Sequence, residues 1–231
     1  MTTRRSLLGS AGAAAIGGGL GLYGSTSLAQ VESSPSPSLP GASHAEHFTN
    51  AVLLTHDGRQ VRFYDDLIRG KTVVMNMMYA ECEDKCPLAT HNLIEVHRLL
   101  GDRVGRDVHM YSLTLKPEHD RPAVLKEYVA AHGVPPGWTF LTGDAADLDL
   151  IRRRIGFYER DPQRDQDTVR HTNMVRIGNE SLSRWVGNAA LGKPEFIVNA
   201  INAVDPVWQR HGQQAPAAAP AEPAQHQHDH A

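Results

Sequence analysis

Cys82 and Cys86, the chain's two cysteines, stand in the run Cys-Glu-Asp-Lys-Cys-Pro, between an apolar stretch, TVVMNMMY, and a helix-patterned one, LATHNLIEVHRLL. Thiols one helical turn apart can close into a disulfide, whose alpha carbons lie roughly 4.4 to 6.8 Å apart, or grip one soft metal ion. A structural disulfide normally closes a long loop and so restrains the unfolded chain. The three residues between these cysteines restrain very little, so redox or metal chemistry is the better reading. Their place at a helix start favours thiolate over thiol through the dipole and the unsatisfied N–H groups there. Both chemistries benefit from that.

The surrounding pattern says what positions the pair. Residues 72–79 form a nearly continuous apolar run through Val73, Val74, Met75, Met77 and Met78, as in a buried central parallel strand. Pro87 suits the first turn of a helix, and Ala89, Leu93, Val96 and Leu100 form an inward stripe that stops at Gly101. The cysteines therefore bridge strand and helix. Upstream, AVLLTHDGRQVRF reads as a hairpin about Asp57-Gly58, followed by a short helical piece at DDLIR. Downstream come a strand at VHMYSLTL, a loop at KPEHDRP, a helix at AVLKEYVAAH, a strand at WTFLT and a helix at DAADLDLIRRRI. Strands at HTNMVRI and LSRWVG, joined through Gly178-Asn179-Glu180, and a helix at KPEFIVNAINAV complete the domain. Alternating strands and helices imply a largely parallel sheet. The order is that of a thioredoxin-like α/β sandwich, with a central mixed sheet, flanking helices and an N-terminal hairpin.

The first 29 residues read as an export signal of the twin-arginine type. Arg4 and Arg5 precede an apolar, Gly/Ala-rich section, and Ser27-Leu28-Ala29 offers a small-x-small cleavage site. Export places the thiols in an oxidising periplasmic or extracytoplasmic space; an uncleaved signal would instead anchor the protein to the membrane. Residues 30–46 read as a Ser/Pro linker, 47–210 as one domain, and 211–231 as a Pro/Ala/His tail without enough apolar content to fold. No internal repeat recurs. The formal net charge of −3 comes from interspersed acidic and basic residues, which leaves no electrostatic footprint for nucleic acid.

With these elements in place, the chain resembles the SCO/SenC family of thioredoxin-like copper proteins. The resemblance rests on Cys82-x-x-x-Cys86-Pro87 after a strand, on SLTLKPEHDRPAVLKEYV, on GWTFLTG, and on His171 opening HTNMVRI. It implies that Cys82, Cys86 and His171 bind one copper ion, as Cu(I) or Cu(II). It also implies a chaperone that delivers copper to the binuclear centre of a respiratory oxidase or a similar cuproenzyme. Asp84 falls where members commonly place an aspartate, whereas Glu83 departs from the proline many members carry after the first cysteine, which bears on copper affinity. The donor chemistry agrees: thiolates select Cu(I), and imidazole also accommodates Cu(II). Three ligands leave an open coordination position, as metal transfer requires, unlike a closed structural zinc site.

The alternative is a thiol:disulfide oxidoreductase in which Cys82 and Cys86 act on a partner's cysteines, with Cys82 the attacking, more exposed thiol. Two features argue against it. Thr168, Val169 and Arg170 stand where thioredoxin-like oxidoreductases usually carry a proline, and such enzymes typically space their cysteines by two residues. A metallochaperone is accordingly favoured over an enzyme, and a peroxide-reducing sequence is not recognisable. Met75, Met77, Met78 and Met174 read as core packing, and His91, Glu95 and Arg98 as a solvent-facing surface. His226, His228 and His230 near the end of the chain would make at most a low-affinity copper feeder.

Overall fold

The computed structural model describes residues 47–82, 85–167 and 173–205. The export signal, the linker, the terminal tail, Glu83, Asp84 and residues 168–172 lie outside them.

The hairpin expected about Asp57-Gly58 forms from β1 (Val52–Thr55) and β2 (Gln60–Arg62), antiparallel with Leu53 opposite Val61. A π-helical turn over Phe63–Ile68 follows and buries Phe63, Tyr64, Leu67 and Ile68. Next comes β3 (Thr72–Met78), buried at every position. Helix α1 (Lys85–Leu100) leads to β4 (Val108–Thr114), α2 (Pro122–Ala131) to β5 (Trp138–Gly143), and α3 (Ala145–Arg154) to a short α4 (Pro162–Asp165). The chain ends its described course with β6 (Met174–Asn179), β7 (Arg184–Ala189) and α5 (Pro194–Val204).

All seven strands join one sheet in the order β2-β1-β5-β4-β3-β6-β7. β3, β4 and β5 run parallel, while β6 is antiparallel to β3, so the sheet is mixed. β3 is thus central but parallel to one neighbour only. The turn between the last two strands falls at Glu180–Ser183, later than Gly178-Asn179-Glu180 suggested, because Asn179 still pairs with Arg184. This is a thioredoxin-like α/β sandwich with an added N-terminal hairpin.

Period-two alternation along β3 divides the core. Val74 and Met78 face one layer, with Ala89, Leu93 and Val96 of α1, Leu125 of α2, and Ile197 and Ile201 of α5. Val73, Met75 and Met77 face the other, with Phe63 and Leu67 of the π-helical turn and Leu148 and Ile151 of α3. Each fully buried aliphatic side chain of this size contributes about 1.5 to 3 kcal/mol. The inward stripe of α1 is the one its periodicity predicts, and His91 and Arg98 lie on its exposed side.

One structural feature was not read from the sequence. Arg152 and Asp165, 7% and 5% exposed at their side chains, form a buried ion pair at 2.8 Å that ties α4 to α3. α4 itself is four residues long, too short for periodicity to reveal.

Candidate metal centre

β3 runs out of the sheet at Met78, where Leu115 donates its N–H to the Met78 carbonyl at 2.8 Å. The chain then turns tightly, with the Cys82 N–H reaching the Tyr79 carbonyl at 3.3 Å. α1 restarts regular structure at Lys85 and carries Pro87 in its first turn, where the missing proline N–H leaves no helical bond unmade. The backbone N–H of Cys86 donates to Sγ of Cys82 at 3.4 Å. Both cysteines are reduced and both are buried, 5% exposed at Cys82 and 1% at Cys86, within the core layer of α1 and α5.

The expectation of helix-start thiolates needs correction at Cys86. Burial pushes its thiol up to about 12, and the hydrogen bond and charge of Cys82 add to the rise. The physical reason is that desolvation of a sulfur anion in an apolar layer outweighs the partial positive charge of a helix end. Cys82 is the more accessible of the two, as anticipated, but only slightly so.

Four residues outside the expected set complete the surroundings. The Tyr79 hydroxyl hydrogen-bonds with Cys82, which together with burial raises Tyr79 to about 12. Lys116 Nζ lies 4.3 Å from the centre of the Tyr79 ring, within cation–π range. Tyr128, pushed up to about 12 chiefly by burial, shares a 2.8 Å hydrogen bond with Thr90 on α1. Asp120 lies in the KPEHDRP loop yet is 1% exposed. Its carboxylate accepts the Ala80 N–H at 3.1 Å and the Thr114 hydroxyl. Burial raises the pKa of Asp120, against the lowering effect of those two donors. Asp120 therefore pins the first turn after β3 to the end of β4. The only hint in the sequence was an acidic residue in a loop otherwise marked as solvent-exposed by its prolines.

The register places the N-terminal end of β6 beside the C-terminal end of β3, with Val175 opposite Asn76. β6 thus begins at the cysteine end of the sheet. His171 itself lies outside the described residues. Among the described residues no three His, Cys, Asp or Glu side chains are grouped to hold a metal. Met75, Met77 and Met78 are core residues, as expected, and Met174 packs partly buried against the opposite layer. Glu95 pairs with Arg98 at 2.9 Å on the outer face of α1. The terminal histidines lie outside the described residues.

As donors, two adjacent reduced sulfurs suit a soft monovalent ion better than a hard divalent one. No helix among the described residues is long and apolar enough to cross a membrane.

Comparison with known proteins agrees with this arrangement. The chain is 28% identical over 88 residues to the SCO1 protein homolog of Bacillus subtilis (strain 168), covering 38% of this chain and 44% of that protein. It is 32% identical over 116 residues to the mitochondrial SCO2 homolog of Bos taurus, covering 50% of this chain and 42% of that one. The matched stretch spans less than half the length of either curated relative. The structure of Bradyrhizobium japonicum ScoI, solved with copper bound, superposes with a TM-score of 0.52 at 22% identity, over 67% of this chain and 96% of that one. That likeness concerns the fold. The SCO1/SenC family model matches residues 40–201, a span that includes every element of the sheet and the cysteine pair, and the chain belongs to that family.

Proposed function

We propose that this protein is an exported copper chaperone that holds one copper ion through the sulfurs of Cys82 and Cys86 and the imidazole of His171. It then passes the ion to the binuclear copper centre of a respiratory oxidase or a similar cuproenzyme. The observation that carries this reading is the pair of reduced, adjacent thiols at the strand-to-helix junction, in a chain of the SCO1/SenC family. Copper is cargo here. Each thiol that takes it exchanges a proton for the metal, and the raised pKa of Cys86 makes loading of that sulfur proton-coupled. Loss of two electrons and two protons to an oxidant would join the sulfurs and remove both donors, so the redox state of the pair sets whether the site can load.

The copper-bound ScoI structure supports the choice of cargo by kinship. The oxidising compartment is inferred from the N-terminal segment, and the acceptor from the family.

The second reading, a thiol:disulfide oxidoreductase, draws on the same two reduced thiols. The burial of both cysteines and the high pKa of Cys86 work against it, since thiolate is the attacking species. One experiment separates the two. The parent protein and its Cys82→Ser, Cys86→Ser and His171→Ala variants are titrated with Cu(I) and Cu(II) against a competing chelator, and disulfide reduction is assayed on the same samples. The chaperone reading expects all three variants to lose copper. Undiminished binding of both copper states by His171→Ala, together with disulfide reduction that needs both cysteines, would replace it with the oxidoreductase reading.

A further inference from the structure

On the face of the sheet away from the cysteines, Arg176 of β6 presents a guanidinium that the described residues do not neutralise. Its Nε donates to the Ile155 carbonyl at 2.8 Å. No ion pair joins either Arg176 or its neighbour Arg154 to a carboxylate among the described residues, although seven other arginines there, among them Arg103, Arg152 and Arg153, do pair with carboxylates. A guanidinium has five donors in a fork that fits a carboxylate. Burial alone pushes the Arg176 pKa down, the direction expected of a cation that lacks a counter-charge.

Backbone geometry makes room for this group. A Cβ on Gly156 would come within 2.9 Å of Arg176 Nη2, and one on Gly187 within 3.0 Å of Nη1. Two glycines thus flank the guanidinium. Beside it opens a cavity of about 320 Å³ lined by His47, Phe48, Ile155, Ser183 and Trp185, with Arg154 and Arg176 as its arginine walls. Phe48 and Trp185 meet at 5.0 Å between ring centres with their planes inclined by 42°, forming an apolar corner. The volume lies at the lower end of the range for small-molecule sites.

We propose that this cavity is a binding site for a small organic carboxylate with an apolar ring: the ring lies in the corner of Phe48 and Trp185, and the carboxylate takes the fork of Arg176 with Arg154 at the rim. The site stands apart from the cysteines and does not depend on copper binding. A carboxylate suits it better than a neutral ligand because two arginines line the cavity and no acidic side chain among the described residues does.

The probes are 3-phenylpropionate and its amide, titrated calorimetrically into the full-length, reduced, metal-free protein. The acid is expected to bind at least about tenfold more tightly than the amide, a ratio typical of a charge-assisted fork. Arg176→Gln should bring the acid down to the amide's level. Arg154→Gln should cost about threefold, as expected for an exposed cation, and added salt should weaken the acid alone. Arg176→Lys keeps the charge but not the fork; it should fall between parent and Arg176→Gln, and it serves as the test if the glutamine variant does not fold. Equal affinities for acid and amide, unchanged acid affinity in both Arg176 variants, or no heat from either probe up to about 10 mM would overturn the proposal.

Discussion

Replacing Asp165 by asparagine tests the buried ion pair that closes α4 onto α3. The carboxylate accepts Arg152 Nη1 at 2.8 Å, Arg152 Nη2 at 2.9 Å and the Glu159 backbone N–H at 2.8 Å, with Arg153 Nη2 at 2.9 Å. Arg152 also gives a hydrogen bond to the Phe157 carbonyl, so its guanidinium stays in place when the charge opposite it is removed. Asparagine keeps the shape and one acceptor but leaves Arg152 buried with less compensation. The expected loss is about 2 to 3 kcal/mol of unfolding free energy at pH 7, rising to about 3 to 5 kcal/mol for Asp165→Ala. The Arg152 guanidinium holds the Asp165 carboxyl well below the usual carboxylate range. A carboxyl depressed in the folded state contributes stability above its unfolded pKa, near 3.9, and loses it as the pH falls toward the folded value. The asparagine penalty should therefore be constant from pH 7 to about pH 5 and shrink by about 1.4 kcal/mol per unit below about pH 4. Urea unfolding followed by tryptophan fluorescence at pH 7, 4 and 3 measures it. An asparagine variant within about 0.5 kcal/mol of the parent at pH 7, or a penalty unchanged down to pH 3, would refute the reasoning.

Three further outcomes are expected. Asp120→Ala strips the acceptor from the Ala80 N–H and the Thr114 hydroxyl and should cost about 2 to 4 kcal/mol; Asp120→Asn, which retains an acceptor, should lose markedly less in the same urea experiment. Alkylation of Cys86 in the folded protein should accelerate about tenfold per pH unit from pH 7 to pH 11, because burial holds its pKa near 12 and only thiolate reacts; a plateau near pH 9 would contradict this. The same shift has a stability sign: the unfolded thiol ionises first, so this cysteine lowers folding stability as the pH rises above about 8.5. Leu93→Ala, at a fully buried position between α1 and the sheet, should cost about 2 to 5 kcal/mol in thermal or urea unfolding, whereas an exposed change at Arg98 should stay within about 0.5 kcal/mol.

Much of the fold was legible because its signals are local. The continuous apolar run of β3, the Ala89, Leu93, Val96 and Leu100 stripe of α1, and Asp57-Gly58 each specify an element from neighbouring residues alone, and each stands where expected. The cysteine pair was legible for the same reason: spacing and a following proline are properties of a short string. Asp120 was not, because its contact crosses from the β4 loop to the turn after β3, 40 residues apart between Ala80 and Asp120. The Arg152–Asp165 pair spans a segment with no periodicity, and charged residues in such a segment normally face water.

The amino-acid sequence by itself determined the element order, the thioredoxin-like topology and the pair of thiols at the strand-to-helix junction, since periodicity, turn chemistry and residue type are encoded within a few positions of each other. Only the tertiary structure decided how those thiols behave. Packing α1 and α5 over the cysteines removes water from Cys86 and raises its thiol to about 12, reversing the preference for thiolate that the helix start implied. Desolvation depends on everything that surrounds a group, and no window of sequence contains that information.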